Sequence, residues 1–493
     1  MRFTYALDYM HDRPSTARSF LFALGLISVL SLSGFLIVPL TPVAHAATTP
    51  PQPFYVSTTG SDSRGNGSES SPFATITHAV SLAVAGQTVI VESGTYSEMV
   101  LITKQLTLMS QTSQPSSTVI NALGQPVGIA VIGPASNGTV VEGFTVMNAN
   151  NEGIFVQNSF NVVIDNNFVS NNGLNILPGL GESKGIQLTG TSESTVAGNT
   201  VVGNKYGGIG VTDDGSTDAS WNATAAPSAG IPAGTSSPGD ANLISGNTVA
   251  NNHPNHCAIV ISSYNPGEGV ANNVVSGNTV VDNQNGVIIA ADTPDTTAIN
   301  NTIIYNNILN NGEGGVIVHS NAPGDVVTSN SILYNVISGD GYLPTLEGVI
   351  VGGEGLVPVA DTSIIGNVFQ NENIAVQIVL GTNTMVGGNT IGATVKLAYN
   401  GTVTQITSPS SGETSTVTAA SGRSTITQTV TATQATTTAT INGSATTTTT
   451  TTTVTTSNGG LTFSLALLTA VATLIVGLIA GMIVRPTREA SGK

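Results

Sequence analysis

The chain has 493 residues, of which only 8% are charged, and its 12 lysines and arginines stand against 28 aspartates and glutamates, for a net charge of −16. A chain this acidic offers no basic patch for phosphate groups, which argues against nucleic acid or anionic lipid as a partner. The one cysteine, Cys257, excludes an internal disulfide, so an exported chain of this length would depend on core burial and stacking for its stability.

The N-terminus carries the features of an export signal. An apolar run from Phe20 to Leu40 follows Arg13 and Arg18, and Ala44-His45-Ala46 is typical of a cleavage site. We therefore predict a signal peptide over residues 1–46. The length of the apolar run also allows an alternative, an N-terminal anchor that is not cleaved.

Residues 72–85 are predicted to form a capping helix. Ile76, Ala79, Val80 and Ala83 recur at helical spacing, so they would lie on one apolar face. That face would cover the first strands of the domain that the following repeats build.

A strand pattern recurs along the middle of the chain. Apolar residues alternate at i and i+2, as in Ile154 and Val156, which is the period of strands and not of helices. Alternation predicts that Ile259 and Val287 point into a core and that Val260 points outward. The repeated strands start at Gly153, Gly185, Gly208, Ala258, Gly286, Gly315, Gly348 and Ala375.

A second recurring site falls between these starts, usually inside a phrase such as Ser-Gly-Asn-Thr-Val. Where no loop is inserted the period is roughly 22 to 33 residues, which is typical of solenoids whose turns stack on one another. Stacked corner asparagines can bond through their amides to the backbone and to each other. The pattern predicts an all-β fold, a right-handed parallel β-helix over residues 47–401. The corner asparagines are Asn166, Asn199, Asn247, Asn278, Asn306, Asn335, Asn367 and Asn389.

With these repeats the chain resembles the pectin lyase-like superfamily, in particular its NosD-like branch of parallel β-helix repeats, from about Phe54 to Asn400. The resemblance implies the fold. It does not imply one reaction, because a single fold hosts many activities.

The bases and acids of related enzymes are mostly missing. Lyases of the pectate type use a strong cation, usually arginine, often with Ca²⁺, yet arginine is absent from Gly65 through Ser421. Lys184 and Lys205 could replace it, but we predict that both are solvated turn residues.

Hydrolysis needs two or three carboxylates close together. Asp213 and Asp214 resemble the paired aspartates of polygalacturonase-like hydrolases, although the accompanying Gly-His-Gly and Arg-Ile-Lys phrases are missing. The candidate catalytic residues are Asp213, Asp214, Asp292 and His319, and none is assigned a role from sequence alone.

A polar row is predicted at one edge of the first sheet. The sixth residue after the strand start is polar in five successive coils, which would stack about 4.8 Å apart. The row consists either of turn-forming residues or of groups that line a groove for a glycan or a cation. Its members are Asp214, Tyr264, Asp292, Asn321 and Glu354.

A Gly-, Ser-, Ala- and Pro-rich loop is inserted over residues 213–240 and carries Trp221, the only tryptophan. Loops this long are usually functional or disordered. Trp221 would either stack on a sugar beside the polar row or attach its loop to the scaffold. We include it among the candidate ligand-binding residues.

His253, His256 and Cys257 bring possible metal ligands together, and the NosD-like resemblance associates such proteins with copper-enzyme maturation. Strand alternation opposes a shared site, because it predicts Cys257 inward, as a buried core thiol beside Ile259, and His256 outward. No cofactor is predicted. If an ion were bound, Ca²⁺ or copper would be the ions to consider, and His253 and His256 are the candidate metal ligands.

The C-terminal part is predicted to hold the domain on a membrane. Residues 402–460 are dominated by threonine and serine and are expected to form a disordered, O-glycosylated stalk. Leu461–Val484 would be an apolar helix about 36 Å long, enough to span a bilayer. The basic residues within 485–493 place this tail in the cytoplasm and the domain outside the cell. This layout resembles that of archaeal surface glycoproteins, and candidate N-glycosylation sites are Asn66, Asn137, Asn222, Asn300, Asn400 and Asn442.

Two classes of function remain open from sequence. The first is a non-catalytic surface glycoprotein that presents a rigid solenoid for glycan binding, adhesion or envelope assembly. The second is a membrane-tethered polysaccharide lyase or glycoside hydrolase, and a NosD-like metal-handling protein is a further alternative. The absent catalytic constellations and the clear stalk and anchor favour the first class.

Overall fold

A computed structural model describes residues 51–175, 184–213, 237–252, 257–341, 346–352 and 357–391, and the strands between residues 396 and 451. These residues belong to one compact unit, Pro50–Lys493. The predicted signal peptide, residues 214–236 of the inserted loop and the predicted transmembrane segment lie outside the described residues. Among the helices that are described, none is long and apolar enough to cross a membrane.

The described strands form a solenoid with three faces, and within each face neighbouring strands pair in parallel. The first face contains Val100–Ile102, Ile129–Ile132, Ile154–Gln157, Ile186–Thr189, Ile209–Thr212, Cys257–Ser263, Asn285–Ala291, Val316–Ser320 and Glu347–Val351. The second contains Phe54–Val56, Gln87–Val91, Leu106–Ser110, Val140–Glu142, Val163–Asp165, Thr195–Ala197, Leu243–Ser245, Val274–Ser276, Thr302–Ile304, Ser331–Leu333 and Ser363–Ile365. The third contains Gly94–Tyr96, Thr118–Asn121, Thr145–Met147, Phe168–Ser170, Thr200–Val202, Thr248–Ala250, Thr279–Val281, Asn307–Leu309, Val336–Ser338, Val368–Gln370 and Thr390–Ile391.

Shorter and longer elements complete the solenoid. A short ladder lies between the first and second faces, at Gly269–Ala271, Thr297–Ile299, Val326–Thr328 and Val359–Ala360. The long strands Ile374–Gly387 and Lys396–Ile406 pair in parallel, so the parallel strand pairing of the solenoid continues past residue 401. Within residues 402–460 the further strands are Val417–Ala419, Ile426–Thr429 and the antiparallel pair Gln434–Ile441 and Ser444–Thr451. The role of this segment as a stalk stays a prediction.

The N-terminal end is closed by a helix at Ile76–Leu82, inside the predicted segment 72–85. Thr75 begins this helix, because its hydroxyl accepts from the backbone N–H of His78. Glu98 accepts from the N–H groups of Ile76 and Thr77 at 3.0 and 2.8 Å. These contacts satisfy N–H groups that a helix start leaves without partners. Two 3₁₀ turns follow at Pro115–Ser117 and Pro134–Ser136.

The solenoid interior is a continuous apolar core. Ile259, Ile261 and Val287 are fully buried in it, as the alternation predicts. Glycine at a strand start allows the next coil to approach, since a Cβ on Gly286 would lie 2.1 Å from the backbone oxygen of Gly315. This close approach explains why glycine recurs at most of these positions.

On the outward side of the first face, Val260 points outward as predicted, whereas the prediction that Cys257 lies in the main core is wrong. Val260 points away from the core but is only 4% exposed, because it packs with Cys257, Ile288 and Ala290 in a separate outer cluster. Cys257 is therefore buried on the outer side and not in the main core with Ile259. The backbone turns at the strand start, so Ala258 and Ile259 both point inward and the simple alternation fails there.

Asparagine side chains stack along the corners in three ladders within the described residues. The predicted ladder is confirmed from Asn199 to Asn389, but its first member is the buried Asn167 and not Asn166, which has a left-handed backbone with φ of 52°. Two further ladders were not predicted. One contains Asn242, Asn273, Asn301 and Asn330, and the other contains Asn172, Asn204, Asn252, Asn283 and Asn311, followed by Asp340 and Glu372.

Candidate functional site

The C-terminal edge of the first face carries a cluster of polar side chains. Parallel register aligns Ser262 with Ala290 and Ala290 with His319, so successive coils place the following turns next to one another. Tyr264, Asp292 and Asn321 lie in these turns, as the six-residue count predicts. We call Ser262, Tyr264, Asp292, His319 and Asn321 the polar edge.

Asp292 is the centre of the polar edge. Its carboxylate accepts from the Ser262 hydroxyl and, at 2.6 Å, from the side-chain amide of Asn321. Nε2 of His319 lies 3.6 Å from Asp292 Oδ1. The Asp292 and His319 side chains are 16% and 20% exposed, and Tyr264 is 37% exposed, so the cluster can be reached from solvent.

Asp213 occupies a different environment from the polar edge. Its carboxylate accepts from the Ser263 hydroxyl and from the N–H groups of Tyr264 and Asn265, the latter two at 2.8 and 3.2 Å. Burial raises the pKa of this carboxyl above its ordinary value, although the three hydrogen bonds act in the opposite direction. Asp213 therefore holds the turn that presents Tyr264.

Several predicted site residues lie outside the described residues. They are Asp214, Trp221, His253, His256 and Glu354. Their assignments to catalysis, ligand binding or metal binding stay predictions. In the part of the chain that is described, no three His, Cys, Asp or Glu side chains are grouped as a metal site would require.

The prediction that Lys184 is a solvated turn residue is wrong. It is 2% exposed, and its Nζ donates to the carbonyl oxygen of Tyr206 at 3.0 Å. The missing side chains of Gly207 and Gly210 leave room for it, since a Cβ on either would lie within about 3 Å of the lysine stem. Lys205 is exposed, as predicted.

Three candidate glycosylation sites have described side chains. Asn66 and Asn300 are exposed, and Nδ2 of Asn300 donates to Asn272 Oδ1 at 2.7 Å. Asn137 is half-buried and its Oδ1 accepts from the Phe160 N–H at 2.8 Å. The side chains of Asn222, Asn400 and Asn442 lie outside the described residues. Glycosylation stays a prediction at all six positions.

The polar edge can bind a hydroxyl-rich ligand by hydrogen bonds. It offers carboxylate and amide oxygens as acceptors, amide and phenol hydrogens as donors, and one partly exposed aromatic ring, the combination that orients polar ligands in protein sites. Ser262 was missed from sequence. It falls two residues before Tyr264 on the outward side of its strand, where the register pairs it with Ala290, two residues before Asp292.

Comparisons with known proteins agree with this architecture. Residues 116–303 match the family described as right handed beta helix region, and residues 58–110 match a family of proteins of unknown function, DUF1565. No curated protein sequence matches the chain.

Solved structures with a similar arrangement come from proteins of several kinds. The A-module of a mannuronan C-5 epimerase from Azotobacter vinelandii is 15% identical, with 68% of this chain and 94% of that chain covered and a TM-score of 0.46. A surface protein and adhesin of Streptococcus pneumoniae is 15% identical, with 72% and 94% covered and a TM-score of 0.44. A polygalacturonase of Erwinia carotovora is 12% identical, with 78% and 99% covered and a TM-score of 0.44.

The family match lies within the longer region in which the parallel faces and the asparagine ladders extend. The chain folds as a right-handed parallel β-helix, and residues 116–303 carry the repeat pattern of that family model.

Proposed function

We propose that the protein is a membrane-anchored, cell-surface β-helix glycoprotein that binds a glycan along its polar edge without cleaving it. The observation that carries this proposal is the arrangement around Asp292, where hydrogen-bonding groups of three successive coils meet at a surface that solvent reaches. A glycan lying along the solenoid would meet such groups once per coil, at intervals of about 4.8 Å.

The hydrogen bonds of the two candidate carboxylates that are described, Asp213 and Asp292, support glycan binding over glycan hydrolysis. A glycosidase places two carboxyl groups on either side of the bond that it cleaves. Here Asp213 is directed to the backbone of residues 264 and 265, and Asp292 is held by Ser262 and Asn321. In this arrangement each carboxylate organises neighbouring protein groups.

One observation favours an enzyme as the second candidate. Burial raises the pKa of Asp213, and a raised pKa is what a carboxyl needs to act as a general acid. If the protein is a hydrolase of the pectin lyase-like superfamily, Asp213→Asn removes that acid and should abolish turnover.

The glycan-binding proposal is tested by retention of the full-length protein on a glycan array. Asn321→Ala is expected to weaken retention about tenfold, because it removes a donor from the edge and leaves Asp292 with fewer partners. Asn307→Ala is the matched control, since Asn307 is also exposed but lies on the third face. Equal retention of the Asn321 and Asn307 variants would contradict the proposal.

The anchoring proposal is tested by truncation. A chain that ends before Leu461 is expected to leave the membrane fraction and to appear in the medium, with an N-terminus near Ala47. Cell fractionation with N-terminal sequencing measures both. A truncated chain that stays in the membrane with Phe20–Leu40 attached would show that the N-terminal run is the anchor.

A further inference from the structure

The third asparagine ladder changes its chemistry at its C-terminal end. From Asn172 to Asn311 each member is an amide, and the next two members are Asp340 and Glu372. Asp340 is fully buried and Glu372 is 3% exposed. Two carboxyl groups thus take the place of two amides inside the solenoid.

An amide serves this ladder in two ways. The Oδ1 atom of Asn311 accepts from both the backbone N–H and the side-chain amide of Asn283, each at 3.1 Å. The Nδ2 atom of Asn283 also donates to the carbonyl oxygen of Val249, one coil back, at 3.0 Å. Each ladder position therefore needs one oxygen that accepts and one group that donates.

Asp340 fills only the accepting role if it is ionised. Its Oδ1 accepts from the N–H and side-chain amide of Asn311 at 2.7 and 2.8 Å, as an asparagine would. Its Oδ2 lies at the place of the donating nitrogen and has no partner. By the register of the third face, the carbonyl oxygen of Ile308 faces the position of Asp340 Oδ2. Glu372 is the next member of the ladder, and its Oε1 accepts from the backbone N–H of Asp340 at 3.0 Å.

We propose that Asp340 and Glu372 are protonated carboxylic acids in the folded protein, with the acid hydroxyls acting as the donors that asparagine amides supply elsewhere in the ladder. A hydroxyl on Asp340 Oδ2 can donate to the oxygens that face it, whereas a bare carboxylate would set like partial charges against each other. The same holds for Glu372 Oε2, which also lacks a partner. The hydrogen bonds between the C-terminal coils are then complete at acidic pH and are weakened near neutral pH.

The electrostatic surroundings agree with neutral acids. Burial raises the pKa of Asp340 to about 7, and burial together with the nearby Asp340 raises the pKa of Glu372 to about 8. No described lysine, arginine or histidine acts on either carboxyl. The other acids of the adjoining turns are Glu313, which is exposed and accepts from Gln284, and Glu347, whose pKa burial also raises.

The sign of the pH dependence follows from proton binding. A carboxyl whose pKa is higher in the folded chain than its unfolded value of about 4 binds more protons when folded. The contribution to stability is therefore complete below about pH 4 and is lost as the pH rises through 7 and 8.

The test is the midpoint of thermal unfolding, Tm, of the full-length protein between pH 5 and pH 8.5. The double variant Asp340→Asn, Glu372→Gln keeps a donor at every pH, so its Tm is expected to exceed that of the wild type by about 5 °C at pH 8.5 and to match it at pH 5. Asp361→Asn, at an exposed carboxyl of a neighbouring coil, is the control and should follow the wild type. If the Tm of the double variant falls between pH 5 and pH 8.5 by as much as the Tm of the wild type, the proposal is overturned.

Infrared spectroscopy tests the same proposal without depending on variant stability. At pH 6 exposed carboxyls are ionised, whereas the wild type should show the carbonyl stretch of protonated acids, with loss of intensity in Asp340→Asn alone and in Glu372→Gln alone. Spectra of the single variants that are identical with the wild type in this band would show that the pair is ionised, and the proposal would fail.

Discussion

Replacing Asn306 by leucine is expected to destabilise the middle of the solenoid severely, by about 5 kcal/mol. The fully buried Asn306 accepts from the N–H and amide of Asn278 at 2.8 and 2.9 Å and donates to Asn335 and to the carbonyl of Val275, each at 2.9 Å. Leucine would leave the backbone N–H of Asn278 without its partner and would remove one hydrogen bond each from the Asn278 amide, Asn335 and Val275, and each buried unsatisfied group costs about 1–3 kcal/mol. Denaturant unfolding followed by circular dichroism measures the loss.

The adjacent Asn307 is the control for this prediction. It is exposed on the third face, so Asn307→Leu removes no buried hydrogen bond and should change the unfolding free energy by less than about 0.5 kcal/mol. Similar losses for Asn306→Leu and Asn307→Leu would mean that the ladder adds little to stability.

The second large effect is expected in the apolar core. Val327 is 2% exposed, and Val327→Asp would bury a carboxylate without a partner, at a cost of several kcal/mol (about 3–5). Val326 precedes it on the same strand and is 45% exposed, so Val326→Asp should cost less than about 1 kcal/mol. The Tm values of the two variants give the comparison. Equal losses would show that the inward and outward sides of this strand are assigned wrongly.

The fold could be predicted from sequence because its repeats are local and periodic. Strand alternation and corner asparagines identify the parallel β-helix, and Ile259 and Val287 lie in the core as expected. The wrong choice of Asn166 as the first ladder member arose because two asparagines, Asn166 and Asn167, are adjacent. Only Asn167 directly precedes the strand Phe168–Ser170, whose pairing fixes the register of the corner. A left-handed backbone at Asn166 is a conformation that asparagine tolerates well.

The two unpredicted ladders had a signal in the sequence. Within one coil, the members of the three ladders are five positions apart in sequence, as in Asn242, Asn247 and Asn252 or Asn301, Asn306 and Asn311. A three-residue strand and a two-residue corner produce this spacing. The same count leads to Asp340 and Glu372, which continue the ladder with acids in place of amides.

Burial on the outer side of the first face could not be predicted from alternation. Val260 and Cys257 form an outer cluster with Ile288, and Lys184 is buried beside glycines. Alternation gives the direction of a side chain and not what covers it. The contacts of Asp213 with the Ser263 turn likewise depend on the next coil, fifty residues later in the chain, and no local pattern predicts them.

The most direct test of the proposed function is the chain length of a polysaccharide that the protein retains. After incubation with the full-length wild type, size-exclusion chromatography is expected to show the polysaccharide unchanged in length, because the carboxylates of Asp213 and Asp292 are engaged in hydrogen bonds to protein groups. Shortening by the wild type that Asp213→Asn abolishes would contradict this account and show that the protein is an enzyme.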